Sequence, residues 1–196
     1  MTSTQHTIAV TALVEHEGRF LFIQRPATAG EYSGQWVFPG GKVDANEDVI
    51  QALLRELGEE VGLVHLTNLH FLSAYKFTRK DGSSTQGLVF LARTDTPETV
   101  IDETSASKHE WILPEEVVDY VETQRTIYGM EVHVRNALIA IRGFFIPPTA
   151  VSVTNYQEAK CNMTKQYLMD IAYGDFDVRN LSDESWIFPN KGKYAK

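Results

Sequence analysis

The chain has 196 residues, 43% of them apolar, which is enough to bury a core, and its single cysteine, Cys161, excludes an intrachain disulfide. Its net charge of −8 falls entirely in the first 148 residues, because beyond Pro148 the acids Glu158, Asp170, Asp175, Asp177, Asp183 and Glu184 are cancelled by Lys160, Lys165, Arg179, Lys191, Lys193 and Lys196. That balance excludes a broad basic stripe for nucleic acid; with no apolar run of membrane-spanning length and no signal-type leader, the expectation is a soluble cytoplasmic protein that neither crosses nor docks on a membrane.

In chain order, residues 7–14 and 19–24 read as strands joined at Glu17 and Gly18 into a hairpin, on their β-branched and aromatic content. A glycine-rich turn, Pro39, Gly40 and Gly41, precedes a helix, because paired glycines permit backbone angles closed to other residues. Asp44 and Glu47 have capping-box spacing, which predicts a helix from near Ala45 to a stop at Gly62. Ile50, Leu53, Leu54, Leu57 and Val61 form its apolar stripe, with Glu56, Glu59 and Glu60 on an adjoining face. Gly58 inside this helix costs about 1 kcal/mol relative to alanine and predicts a close backbone or ligand approach.

Residues 70–78 and 86–93 read as a second antiparallel pair around the turn at Asp81, Gly82 and Ser83. A short strand at 109–113 leads to Pro114 and a helix to about Val121, followed by a longer amphipathic helix at 130–144. Pro147 and Pro148 break the chain, and residues 155–173 place Tyr156, Ala159, Met163, Tyr167, Leu168 and Ile171 at helical spacing before Gly174. Trp186, Ile187 and Phe188 offer a later apolar anchor. The division is a domain at 1–146 and an extension at 147–196 that packs on that domain, on a second subunit as a homodimer contact, or over the substrate.

Three carboxylates in one short helix repel each other. Glu56 neighbours both Glu59 and Glu60, and like charges at that spacing cost a few tenths of a kcal/mol, on the order of 0.3, per pair. Carboxylate oxygens suit Mg²⁺ or Mn²⁺, ions that also hold phosphates, so the cluster points to a metal site for phosphate chemistry rather than a solvated face. Arg55 is the one base directly beside these acids.

The order Gly41, Glu47, Arg55, Glu56, Leu57, Glu59, Glu60, Gly62, Leu63 resembles the Nudix box at every specified position, and Trp36, Val37, Phe38, Pro39 and Gly40 resemble the strand that leads into that box in MutT-like members. The resemblance spans about residues 6–145. It implies an α/β/α sandwich with a mixed sheet, extended here by a C-terminal helix, and hydrolysis of a nucleoside diphosphate linked to another group. It further implies metal ligation by Glu56, Glu59, Glu60 and the Gly40 carbonyl, with Arg55 and Glu47 as supports. A fourth acid would come from a later loop, Glu103 first and Glu110 second. The general base would be Glu56, then Glu59, or Glu103. An arginine placed like Arg25 contacts substrate phosphate in such proteins.

Other candidates rest on residue type alone. Lys42 beside the glycine turn suits phosphate or solvent, and Tyr32, Tyr75 or Phe77 suit base stacking or the core. Trp36 belongs to the core or to the wall of the site, and the six histidines show no metal-ligand spacing. The expected activity is MutT-like pyrophosphohydrolysis of a (deoxy)nucleoside triphosphate. The alternatives are an ADP-ribose or nucleotide-sugar pyrophosphatase, or a non-catalytic nucleotide-sensing module.

Overall fold

The computed structural model describes residues 6–29, 32–78, 82–123, 126, 130–142, 150–152 and 165–173. Strands β1 (His6–His16) and β2 (Arg19–Gln24) form the expected hairpin. Its turn has both Glu17 (φ 48°) and Gly18 (φ 80°) in the left-handed region, the conformation that matches strand twist in a two-residue loop. Strands β3 (Trp36–Val37) and β4 (Gly40–Lys42) follow, then helix α1 (Val49–Val61), β5 (Thr67–Thr78), β6 (Ser84–Arg93) and β7 (Lys108–Ile112). A 3-10 turn at Pro114–Glu116 runs into α2 (Val117–Thr123), and α3 (Met130–Ile141), β8 (Ala150–Ser152) and α4 (Lys165–Tyr173) complete the described elements.

One mixed sheet has the order β3-β2-β1-β6-β5-β8, with β7 alongside β2 and β4 alongside β1. Its centre is the parallel β1/β6 pair, from His6 opposite Ser84 to Glu15 opposite Arg93. One edge of β1 is shared, pairing with β2 beside the hairpin turn and with β4 at Ala9, Val10 and Thr11.

Alternation along the strands divides the core in two. Val10, Ala12, Val14, Leu21, Ile23, Phe90 and Ala92 face α1 and meet Ala52, Leu53, Leu57 and Val61. Leu13, Phe20, Phe22, Phe38, Leu72, Val89 and Leu91 face the other way, toward α2, α3 and α4. The fold is therefore an α/β/α sandwich.

Several local expectations are corrected. Helix α1 starts at Val49, not near Ala45: Asp48 is the N-cap, accepting from the Ile50 and Gln51 amides, and the Gln51 side chain closes the box on the Asp48 amide. Asp44 and Glu47 form the turn ahead of it, where the Glu47 carboxylate accepts the Asp44 N–H at 2.9 Å. Ile50 and Leu54 remain exposed, whereas Leu53, Leu57 and Val61 are fully buried, because the helix presents only a narrow stripe to the sheet. Gly58 has no tight neighbour: a Cβ there would meet only the Val64 side chain, at 3.8 Å.

Helix α3 is buried from Met130 through Ile139 instead of showing one wet face, since it packs against the sheet, α2 and α4 together. Leu168 and Ile171 of α4 join the core on this side, and Arg142 donates to the Ile171 carbonyl at 2.7 Å. The extension's expected apolar positions Tyr156, Ala159 and Met163, and Trp186, Ile187 and Phe188, lie outside the described residues. No helix among the described residues is long and apolar enough to cross a membrane.

Candidate active site

Glu56, Glu59 and Glu60 stand on the last two turns of α1, and Arg55 ties this flank to the chain before it. Its Nε and Nη2 grip Glu47 at 3.0 and 2.6 Å as a two-point clamp, Nη1 donates to Glu56 and to Glu59 at 3.0 Å each, and Nη2 also reaches the Lys42 carbonyl at 3.1 Å. A planar guanidinium offers five donors in a fixed fork, which lysine does not. The clamp holds the Glu47 carboxyl down at about 2, while the surrounding acids, Glu47 first, hold the Arg55 guanidinium above its usual range.

The glycine turn is shaped around these acids. The Gly40 N–H donates to Glu60 Oε2 at 2.7 Å. A Cβ on Gly40 would stand 2.1 Å from the Val10 carbonyl, and its φ of 140° is a conformation that side chains disfavour. At Gly41 a Cβ would fall 2.3–2.5 Å from the Glu56 carboxylate, so the missing side chain is the space that Glu56 occupies.

Burial then sets the charge. Glu60 is 7% exposed, and its removal from water pushes its carboxyl up to about 7, against the pull of the Gly40 amide and the Arg25 charge. Burial raises Glu56 as well, with Arg55 opposing. Glu59 stays largely in water. Two acids that resist ionising beside a third are a site that a cation would stabilise.

The structure gathers some of the remaining candidates and separates others. Arg25 follows β2, held by its amide on the Gln35 carbonyl at 2.9 Å; its Nε is buried with no hydrogen-bond partner among the described residues. Lys42 pairs with Ala9 while Gly41 pairs with Val10, which puts Lys42 on the sheet face opposite α1, away from the acids. Tyr32 takes a left-handed turn conformation, φ 64°. Tyr75 lies flat across Gly87, where a Cβ would come within 2.0 Å of its ring, and it flanks His133 at 6.1 Å. Phe77 pairs with Thr85 in β5, and its side chain lies outside what is described.

Trp36 is 3% exposed and meets Tyr120 edge-on at 5.5 Å, a core position. Glu103 is exposed in the loop before β7, whose Asp102 N–H donates to the Glu60 carbonyl at 3.3 Å. Glu110, the second choice for a fourth acid, does not face α1: it pairs with Phe22, whose side chain belongs to the opposite core layer.

Sequence reasoning missed three things. It gave Gly41 no steric duty, it placed Asp102 among the candidate loop acids without giving it the turn it holds, and it did not single out His133, a core histidine buried against the Ser73 hydroxyl at 2.8 Å whose pKa falls to about 4 through burial and the Arg135 charge. None has a periodicity signal; the Asp102-x-Thr104 pattern is the one local cue.

Among the described residues no three His, Cys, Asp or Glu side chains already converge as a metal cage. The residues nevertheless fit a divalent cation: the donors are hard oxygens, and the buried Glu60 and half-buried Glu56 lie on one flank beside the Gly40 and Gly41 backbone.

The NUDIX domain family model matches residues 5–129. The chain is 48% identical over 54 residues to the CTP pyrophosphohydrolase of Escherichia coli strain K12, a match covering 28% of this chain but only 39% of that protein. It is 30% identical over 135 residues to the nucleoside triphosphatase NudI of Escherichia coli O139:H28, covering 63% of this chain and 94% of that one. Among solved structures, a MutT NUDIX hydrolase from Burkholderia pseudomallei superposes with a TM-score of 0.51 at 29% identity, over 57% of this chain and 85% of its own. Members of this family are in general dependent on divalent metals. With the box acids on α1 and the fold shared, the chain belongs to the NUDIX family and is a hydrolase of MutT-like architecture.

Proposed function

We propose that the protein hydrolyses (deoxy)nucleoside triphosphates to a nucleoside monophosphate and pyrophosphate, using Mg²⁺, with Mn²⁺ as a substitute. The observation that carries this reading is the buried Glu60, bonded to the Gly40 amide on the helix flank where Arg55 gathers Glu56 and Glu59. The names of the relatives, a CTP pyrophosphohydrolase and a nucleoside triphosphatase, support a triphosphate over ADP-ribose or a nucleotide sugar.

Glu56, Glu59, Glu60, the Gly40 carbonyl and Glu103 would hold the metal. When bound, it neutralises phosphate oxygens and acidifies a water. Arg25 takes the substrate phosphates through its guanidinium. Tyr32 and Phe77 are the candidates for stacking on the base, and Lys42, turned to the far sheet face, is left to a phosphate beyond the acids or to solvent. Glu56 is the first choice for the proton acceptor from the attacking water, then Glu59 or Glu103; Arg55 orients Glu56 and Glu59.

The test is phosphate and pyrophosphate release from a panel of CTP, other ribo- and deoxyribonucleoside triphosphates, oxidised triphosphates, ADP-ribose and nucleotide sugars, with Mg²⁺ and with a chelator. Metal-dependent pyrophosphate release from a triphosphate is expected. Turnover confined to ADP-ribose or a nucleotide sugar would move the assignment there, and saturable nucleotide binding without turnover would make the chain a sensing module.

A further inference from the structure

The chain between β6 and β7 is fastened at several points. The Trp111 indole N–H donates to the Pro97 carbonyl at 3.1 Å, His109 Nε2 and the Thr99 hydroxyl share a 3.0 Å bond, and the Ser107 amide donates to the Gln24 carbonyl at 2.8 Å. In the middle, the Val100 amide donates to the Val61 carbonyl at 2.9 Å and the Asp102 amide to the Glu60 carbonyl at 3.3 Å, so the loop leans on the last turn of α1.

Asp102 organises what lies beyond. Its Oδ1 accepts the Thr104 N–H at 3.0 Å, and its Oδ2 accepts the Thr104 hydroxyl at 2.6 Å and the Ser105 hydroxyl at 3.1 Å. Its carbonyl accepts both the Ser105 and the Ala106 amides at 2.9 Å. These bonds hold the carboxyl below its ordinary range. Glu103, enclosed by this turn, is exposed and among the described residues makes no hydrogen bond or ion pair. An exposed aspartate that spends every acceptor on one turn of four residues contributes order at that turn more than it contributes core stability.

We propose that Asp102 is a positioning residue for hydrolysis: it fixes the turn against the end of α1 so that the Glu103 carboxylate stands at the edge of the Glu59 and Glu60 pair. The proposal rests on the reading of the chain as a triphosphate hydrolase that uses Glu103.

Full-length Asp102→Ala, Asp102→Asn, Glu103→Gln and the double variant Asp102→Ala/Glu103→Gln are compared on the best triphosphate. Asp102→Ala is expected to lower kcat about 10-fold or more while KM stays within about 2-fold, the pattern of an interaction felt in the transition state. Asp102→Asn, whose amide oxygen still accepts the Thr104 N–H, recovers activity to within about 3-fold of wild type. The double variant is no slower than Glu103→Gln alone, because residues acting as one unit are not additive. In metal-free protein, amide hydrogen exchange at 104–106 rises about 10-fold or more in Asp102→Ala and stays unchanged in Glu103→Gln.

Losses that multiply in the double variant, equal impairment of the Asn and Ala variants, unchanged exchange, or Asp102→Ala activity within about 2-fold of wild type each overturn the proposal alone. A wild-type chain that hydrolyses no triphosphate overturns it together with the functional reading, so the two failures are distinct.

Discussion

Arg55 is the residue on which the others depend. It bonds both oxygens of Glu47, one each of Glu56 and Glu59, and the Lys42 carbonyl. Arg55→Lys keeps the charge and loses the fork, so about 1–3 kcal/mol of stability is expected to go, read as a fall in Tm of about 3–10 °C. Glu60 acts in the opposite sense. Its carboxyl is raised from 4.5 to about 7, so the metal-free folded chain keeps a proton that the unfolded chain releases above 4.5. The associated stability is fully present below 4.5 and is lost as pH rises through 7. Glu60→Gln is therefore expected to raise the metal-free Tm at pH 8, by about 2–6 °C, and to change it little at pH 4. The same variant lowers turnover by about 100-fold or more, as removal of a metal ligand does; turnover within a few-fold of wild type would remove Glu60 from the metal set. The acids and their spacing were legible in the sequence. The burial of Glu60 was not, because it depends on Gly40, twenty positions earlier, closing over the helix.

At the level of elements, α1 and β4 make one unit. Gly41 has no side chain because the Glu56 carboxylate stands where a Cβ would be, so Gly41→Ala displaces a functional group rather than the backbone. Activity is expected to fall about 10-fold or more with Tm changed by about 4 °C or less, separable by circular dichroism melting beside the assay. Gly40→Ala differs, since its Cβ would overlap the Val10 backbone; poor folding is expected there, visible as lost soluble yield. Long strands and helices were readable from periodicity, as in β1, β2, β5, β6 and α1. The two-residue β3, three-residue β4 and three-residue β8 are too short to carry a period; β3 was reached only through the family resemblance of Trp36 and Val37, and tertiary pairing defines the other two. The start of α1 was misread because Asp44 and Glu47 do share a box-like bond, the Glu47 carboxylate on the Asp44 N–H, yet close only a turn; four residues on, the Asp48 carboxylate takes the Ile50 and Gln51 amides and caps the helix.

At the level of the whole molecule, the extension completes the second layer. Leu168 and Ile171 are fully buried beside α3, and the Tyr173 hydroxyl bonds Glu115 at 3.2 Å. Leu168→Ala is expected to cost about 2–5 kcal/mol, lowering Tm by about 4–15 °C with kcat unchanged, since the site lies across the sheet. An equal loss of kcat at a temperature well below Tm would instead connect α4 to catalysis. The shared edge of β1 has a further consequence. The stretch from Arg25 to Pro39 leaves the sheet at the end of β2 and returns through β3 to β1, pinned by Arg25 to Gln35, Gly34 to Arg25 and Ala12 to Pro39. Its base is closed by β2 on β3 and by β1 on Pro39, so exchange of the loop between Arg25 and Gly34 is expected to leave Arg25 and Gly40 in place. On the proposed reading, with Tyr32 at the base and the α1 acids at the scissile bond, a graft of this loop between relatives is expected to shift substrate preference while metal-dependent cleavage is kept, as the same substrate panel would read.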